Sequence, residues 1–490
     1  MLDICEKLFS EWNEKKICYC HWKSNEHLCE GLDGITDLDI LLNDNDRKYG
    51  CNIMKSLDFL NCRSQYGSRY PDVEDWIGFD RSTGKLIHIH LHYKIVTGHK
   101  GMKEYTLPWY EDVLKTRIKD EKTDVYISCP ELELITLYTR IGLKATAKQK
   151  ITAQKGACCL EEGYTREIDY LKKRISWDIL VRYLHKYYGE ASKDFLHIIK
   201  SSQLNAIDFL SLCNITNRIM ACNSRYSRMG AVVREWYYRI VTRSMSWLKY
   251  KRGYPIILRK TPASGKGLVV AFLGQDGAGK STVTEVIEKW LRWKLDATRF
   301  YLGSGDHFNP WEKKLQKKLY GNNAVLSKLI RALLPLKIYV KLSKIVLDTI
   351  SKANKYSSKG GIALFDRYPQ TVFPGINDGP KIRTNILTKT SNLLLKIIIN
   401  YFANKEENTL KKAVENVPDI VFKLVLSPEE SMRRKPENSL EIIKNKHNII
   451  KALNFEGACV YEIDAAQNIE LEIIEIKNII WKNLVVNNTK

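Results

Sequence analysis

Apolar and polar positions alternate in short runs over the first quarter of the chain. Ile17–Tyr19, Leu38–Leu42, Trp76–Phe79 and Leu86–Leu91 fit strands mixed with helices. From about Cys129 to Tyr250 the period changes. Leu134, Leu137, Tyr138 and Ile141 fall three and four apart, as do Ile207 with Leu210 and Ile215 with Ile219. That spacing predicts packed helices with almost no strand. Turn formers then cluster at Arg252-Gly253-Tyr254-Pro255 and Thr261–Gly267. Beyond them, the largely apolar runs Leu268–Leu273, Thr298–Leu302, Ile362–Phe365, Ile420–Leu426 and Val460–Ile463 alternate with helical segments. Such alternation predicts a parallel sheet covered on both faces, a doubly wound α/β fold. Three regions follow: residues 1–126 (α+β), 127–255 (a helical spacer) and 256–490 (α/β).

Composition narrows this picture. The 490 residues are 44% hydrophobic, enough for several cores. Apolar runs of spanning length are absent, and Met1-Leu2-Asp3-Ile4-Cys5-Glu6 lacks the order of a secretory signal, so a cytoplasmic location is expected. The formal charge of +22 attracts polyanions. Part of it is expected on solvated helices at Trp311–Lys318 and Lys337–Lys359. Nucleic acid is not an expected partner, because no aromatic-rich recognition motif accompanies the charge. Of twelve cysteines only Cys459 lies in the last half, and none has paired zinc-ribbon spacing. Cys18, Cys20 and His21 therefore read as packed, reduced strand residues. Val232–Tyr250 interleaves Trp236, Tyr237, Tyr238, Trp247 and Tyr250 with Arg234, Arg239, Arg243 and Lys249. It fits either a docked linker helix or a peripheral contact with an anionic membrane. Nothing in the sequence fixes an oligomeric state.

The sharpest motif is Gly274-Gln275-Asp276-Gly277-Ala278-Gly279-Lys280-Ser281-Thr282, which fits the phosphate-loop spacing between a strand and a helix. Glycines let backbone N–H groups curl inward onto phosphate oxygens, and the helix adds its positive end. Lys280 is expected on the β- and γ-phosphates of ATP, with the Ser281 hydroxyl on Mg2+.

The acidic Asp276 inside this loop resembles the thymidylate kinase family of P-loop nucleoside monophosphate kinases. Gly360–Tyr368 resembles that family's third strand with its Asp-Arg-Tyr end. Pro418-Asp419 and Leu424–Glu430 resemble the next strand and the lid entry, Arg433-Arg434-Lys435 the basic lid, and Ile463-Asp464-Ala465 the closing strand. The resemblance runs from Gly267 onward. It implies that Asp366 holds Mg2+ or its water shell and that Arg367 grips the acceptor phosphate. It also implies that Asp276 faces the acceptor, while Arg433 or Arg434 neutralises the transferring phosphoryl group. The chain departs from the family where the acceptor is recognised. Tyr301–Asp306 replaces an Arg-Glu-Pro-Gly-Gly-Thr type segment, and Pro369-Gln370 with Asn377–Pro380 replaces the Ser and Ala-Tyr-Gln segment. Gly303, Ser304 and Asp378 are the candidate acceptor contacts in their place. The acceptor itself stays open between thymidylate, another monophosphate, a sugar or a polyol.

In the first region, Trp22-Lys23-Ser24 followed by Gly34–Leu42 resembles the polymerase-β type nucleotidyltransferase fold. Alternation puts Asp37 and Asp39 on one strand face, able to share a divalent metal. Where that fold has a third acid, Leu86–Tyr93 carries His88, His90 and His92, with His90 in the carboxylate's place. Less anionic than the usual set, this trio suits a softer metal better than a Mg2+ pair. The region reads as an active nucleotidyltransferase or as an acceptor-binding or degenerate relative. The whole chain reads as an ATP- and Mg2+-dependent kinase of a small acceptor. A bifunctional kinase/nucleotidyltransferase and a nucleotide sensor with little turnover are the alternatives. A motor-type ATPase is excluded, because the strand ends Phe365-Asp366-Arg367 rather than in paired acids.

Overall fold

The computed structural model describes residues 1–64, 69–99, 101–157, 162–302, 325–375, 378–384, 392–436 and 439–489. The chain divides into two compact units, Met1–Arg252 and Gly253–Lys490.

In the first unit, strands β1 (Tyr19–His21), β2 (Leu38–Leu42), β3 (Leu60–Arg63), β4 (Val73–Phe79), β5 (Leu86–His92), β6 (Ile118–Lys119) and β7 (Tyr126–Ile127) share one sheet. Their order is β3-β4-β5-β2-β1-β7-β6. The pair β2–β5 is parallel and β4–β5 antiparallel, with Asp39 opposite His90 and His90 opposite Asp75. Side chains at matched positions of neighbouring strands share a face, so Asp39, His90 and Asp75 form one polar row. One face of the sheet packs on the helix Asp3–Glu14 through Leu8, Phe9, Trp12, Tyr19, Ile40 and Ile89. Cys20, Trp22 and Leu41 join the core of the following helices, including α1 (Pro130–Lys144), through Leu134, Tyr138 and Phe195. Residues read from sequence as two regions, 1–126 and 127–255, thus contribute to one core. Two further helices are α2 (Ala147–Gln154) and the longer α3 (Arg228–Arg252).

In the second unit, β8 (Leu268–Gly274), β9 (Ala297–Arg299), β10 (Ile362–Phe365), β11 (Ile420–Val425) and β12 (Cys459–Asp464) form a wholly parallel sheet in the order β9-β10-β8-β11-β12. The fold is mixed α/β with parallel strands, as the apolar runs implied. Strand order reverses beside β8, and open sheets of this kind gather ligands at the carboxyl end of such a strand. Helix α4 (Lys280–Leu291) follows β8, and its Val283, Ile287 and Leu291 are buried.

Several elements differ from the sequence reading. The first strand is displaced to Tyr19–His21, and Thr298–Leu302 shortens to Ala297–Arg299. The strand read as Trp76–Phe79 begins at Val73, because Glu74 and Asp75 pair with β5 despite their polarity. Strands β3, β6 and β7 lack the length or apolar content that marked the others. Residues 337–359 are not a solvated surface helix. Helix α5 (Val325–Ser357) buries Val340, Ser343, Ile350, Ala353 and Tyr356, its lysines lining the other side. Trp311–Lys318 lies outside the described residues. Among the described residues no disulfide joins the cysteines.

Candidate functional site

The phosphate-loop sequence folds where β8 runs out. Gly277 and Gly279 take φ of +87° and +83°, a region that costs a side-chain-bearing residue about 1–2 kcal/mol. These two turns bring the chain round so that α4 starts at Lys280 with Ser281 and Thr282 exposed in its first turn. Lys280 Nζ lies back over the loop, donating to the carbonyls of Gly274 (2.7 Å) and Gln275 (2.9 Å). Burial lowers its pKa to about 8; Asp276 opposes the shift, while Arg367 and Lys446 add to it. Gln275, read as an ATP contact, turns its side chain away: its amide donates to the Leu426 carbonyl in the interior.

Asp276 is gripped by a lysine the sequence did not single out. Lys446 Nζ, on the helix Leu440–Ala452, sits 2.5 Å from its Oδ2. Burial pulls the Asp276 carboxyl upward, but the hydrogen bond and charge of Lys446 prevail and hold it below its ordinary value. The backbone oxygen of Asp276 accepts from Ser431 Oγ at 2.6 Å. Ser431 belongs to α7 (Pro428–Arg434), which Ser427 caps by accepting from Glu430 N. The two lid arginines then diverge. Arg434 donates toward the Gly277 carbonyl (3.5 Å) and to the Ala465 carbonyl (3.2 Å). Arg433 pairs with Glu430 and points to solvent, 78% exposed. Of the two, the structure brings only Arg434 to the loop. Lys446 is carried by α8 (Leu440–Ala452).

At the end of β10, Asp366 Oδ1 is buried without a hydrogen-bond partner. Arg367 places Nε 3.8 Å from that oxygen and Nη1 3.7 Å from Asp378 Oδ1. Burial raises Asp378, with Arg367, Lys381 and Lys280 opposing. Lys280, Asp276, Arg367, Asp378, Lys381 and Lys446 line one cavity of about 490 Å³ beside the loop. The orphaned carboxylate oxygen of Asp366 and the exposed Ser281 hydroxyl, both near the lysine, are a donor set suited to Mg2+. Lys381 was missed as a lone lysine after a Gly-Pro turn and Lys446 as one of several in a lysine-rich stretch; only folding aims them inward. Gly303 and Ser304 lie outside the described residues.

The acid–histidine row of the first unit is a second cluster. Asp39 Oδ1 lies 3.4 Å from His90 Nδ1 and 3.3 Å from His92 Nε2, and its Oδ2 lies 2.9 Å from Lys23 Nζ. Asp37 Oδ1 is 3.0 Å from His88 Nδ1, and Asp37 Oδ2 is 3.9 Å from His90 Nε2. Burial opposes the charge on Asp39, yet Lys23 and the two histidines hold it well below the usual carboxylate range. Burial drives His92 down to about 3, leaving a neutral imidazole. Two ligand sets come together here, Asp37–His88–His90 and Asp39–His90–His92. The sequence reading put His90 in place of a third acid. The structure adds the acid: Asp75 Oδ1 lies 3.3 Å from His90 Nε2 and 3.1 Å from His88 Nε2. Ser24 sits at φ +55°, its N and Oγ both donating to Glu167 Oε1.

Among the described residues no helix is long and apolar enough to cross a membrane. On α3, Trp236, Tyr237, Trp247 and Tyr250 are exposed.

No protein-family profile matches this chain. Two curated proteins of Escherichia coli strain K12 are similar to part of it. "Uncharacterized ATP-binding protein YghR" is 25% identical over 210 residues, 40% of this chain and 80% of that protein. "Uncharacterized ATP-binding protein YghS" is 25% identical over 224 residues, 42% of this chain and 88% of that protein. Among solved structures, deoxyadenosine kinase from M. mycoides with bound dATP is 20% identical with a TM-score of 0.27, covering 43% of this chain and 98% of its own. The same enzyme with bound dCTP is 17% identical with a TM-score of 0.24, covering 43% and 97%. These likenesses span about two-fifths of the chain, and at this identity they show distant relatedness rather than membership of a named family.

Proposed function

We propose that the second unit is an ATP-dependent phosphotransferase of the thymidylate kinase-like type, moving the γ-phosphoryl group to a nucleoside monophosphate or a related small acceptor. The observation that carries this reading is the convergence of Lys280, Arg367, Lys381 and Lys446 with Asp276 and Asp378 on one cavity at the carboxyl end of β8 and β10, with the orphaned Asp366 Oδ1 3.8 Å from Arg367 Nε. The description of YghR and YghS as ATP-binding proteins supports it.

The loop amides and Lys280 would hold the ATP phosphates, Lys280 exchanging two loop carbonyls for phosphate oxygens. Asp366 and Ser281 would hold Mg2+, which supplies charge neutralisation on the polyphosphate. Arg367 is placed to orient an acceptor, its guanidinium fork matching phosphate or carboxylate. Arg434 stands over the loop, where developing charge on the transferring group would be met. Asp378 beside Arg367 is a candidate acceptor contact, with Gly303 and Ser304 as further candidates. The first unit, with Asp37, Asp39, His90 and Asp75 in a row, supports a nucleotidyltransferase-like domain. Together the two units support a bifunctional kinase/nucleotidyltransferase as the second reading. The exposed aromatic and basic face of α3 supports peripheral contact with an anionic membrane.

The test measures ADP release from ATP with Mg2+ across a panel of nucleoside monophosphates, sugars and polyols. Transfer to one acceptor class, abolished in Lys280→Ala and retained in Asp37→Ala, is the expected result. Nucleotide binding with no acceptor-dependent release would replace this reading with a nucleotide sensor.

A further inference from the structure

A cavity of the first unit, about 840 Å³, is lined by Tyr70, His99, Lys103, Lys144, Lys148 and Tyr238. Its volume falls in the range of small-molecule sites. Its charge is one-sided. The acid that lines it, Glu235, is already paired with Arg239 at 2.5 Å, and His99 is paired with Glu104 at 2.7 Å. Among the described residues no carboxylate lies within 4.0 Å of Lys103, Arg140 or Lys144. Lys103 rests its ammonium 4.5 Å from the Tyr70 ring, and Arg140 lies 5.9 Å from the Trp22 ring. Arg140 is 7% exposed, and its Nη1 is buried without a hydrogen-bond partner.

Buried cations without counter-charge are costly, and the protein registers that cost. Lys144 is pushed down to about 6, first by the charge of Arg140, then by burial, Lys23 and Lys103. Lys103 is pushed down to about 8 by burial, with Lys23 adding. Asp39 is the acid that opposes both shifts, and Lys23 already occupies one of its oxygens. A fold that keeps like charges together around an open cavity is arranged for an anion from outside.

We infer that this cavity binds a phosphate-bearing small molecule, with Lys103 and Lys144 meeting the phosphate, Arg140 adding positive charge from behind Lys144, and Tyr70 and Tyr238 flanking the organic part. A single carboxylate would leave most of the positive charge uncompensated, whereas a phosphate monoester or polyphosphate supplies two or more negative charges and several acceptors. The cavity's volume suits a small molecule rather than a polymer. The site lies wholly within the first unit and is independent of the phosphate loop.

Hydrogen–deuterium exchange on the full chain tests it, with inorganic pyrophosphate, glucose 1-phosphate and ATP as probes at millimolar concentration. The expected result is protection of residues 101–106 and 141–152 by at least one probe, and the probe that protects identifies the organic part. Lys144→Gln should weaken that binding roughly tenfold or more. The same variant should raise the melting temperature of the ligand-free protein, since it relieves repulsion. A merely structural lysine would give the opposite change in stability. Should Lys144→Gln fail to fold, Lys103→Gln carries the affinity measurement. Protection confined to residues 274–284, or none with any probe, overturns the inference without touching the kinase reading; unchanged affinity in the folded variants overturns it too.

Discussion

Asp276 separates this phosphate loop from most of its kind, and Lys446 decides what the acid can do. With Lys446 Nζ at 2.5 Å, the carboxylate is neutralised before any phosphate arrives. Lys446→Met would leave that negative charge facing the nucleotide. The pair is partly exposed, so the loss should be about 1 kcal/mol, roughly a fivefold rise in KM for ATP with the fold unchanged. Steady-state kinetics on the acceptor found by the release assay checks it. Away from the loop, Glu133 shows how burial and hydrogen bonding compete. It accepts from Asn25 N (3.0 Å), Asn25 Nδ2 (2.5 Å) and Ser128 Oγ (3.1 Å), yet burial outweighs them and lifts it from 4.5 to about 7. A raised carboxyl binds its proton more tightly in the folded chain. Its stabilisation is complete below about pH 4.5 and is lost as pH rises through about 7. Urea unfolding of wild type and Glu133→Gln across that window should show the wild type losing stability with rising pH relative to the variant. Parallel slopes would contradict this.

At the scale of elements, two glycines make the second unit's sheet and loop for different reasons. A Cβ on Gly267, at the entry to β8, would lie 1.9 Å from the Gly361 carbonyl oxygen, a backbone atom that cannot move aside. Gly279 has open space around it but sits at φ +83°. Gly267→Ala should therefore cost about 3 kcal/mol, against about 1–2 for Gly279→Ala. Denaturant midpoints rank the two, and Gly279→Ala should lose more nucleotide affinity than its stability change suggests, because the turn aims the amides. The contrast bears on what the sequence can disclose. Ile362–Phe365 was readable to the residue as an unbroken apolar run, and Leu38–Leu42 as a run broken only by Asp39, each between turn formers. The phosphate loop was readable because its chemistry is contiguous. Asp75 was not, since Val73-Glu74-Asp75 shows no apolar alternation and becomes a strand only by pairing with β5. Lys381 and Lys446 were hidden for the same reason: their meaning lies in what the fold sets beside them. The lysines of α5 misled in the other direction, since one buried stripe suffices to dock a helix whose remaining faces are basic.

For the whole molecule, the division at Arg252 and Gly253 has a thermodynamic consequence. Each unit carries cores of its own, the first around Trp12, Trp109 and Tyr138, the second around Phe365, Tyr356 and Val421. Units stabilised by separate cores melt as separate cooperative steps, so calorimetry should resolve two transitions. A ligand stabilises only the unit that holds it. ATP with Mg2+ at a hundred times its Kd adds about 2.7 kcal/mol, which for a unit of this size moves its midpoint by roughly 5–10 °C. The transition that moves should be the one also seen when residues 253–490 are expressed alone, and Lys280→Ala should abolish the movement. The other transition reports the cationic cavity: the phosphate probe that occupies it should raise that midpoint in the wild type and raise it less in Lys144→Gln. One thermogram thus holds both sites apart. A single transition, shifted equally by every ligand and insensitive to which lysine is replaced, would mean that the units fold and bind as one body and that the two sites are not independent.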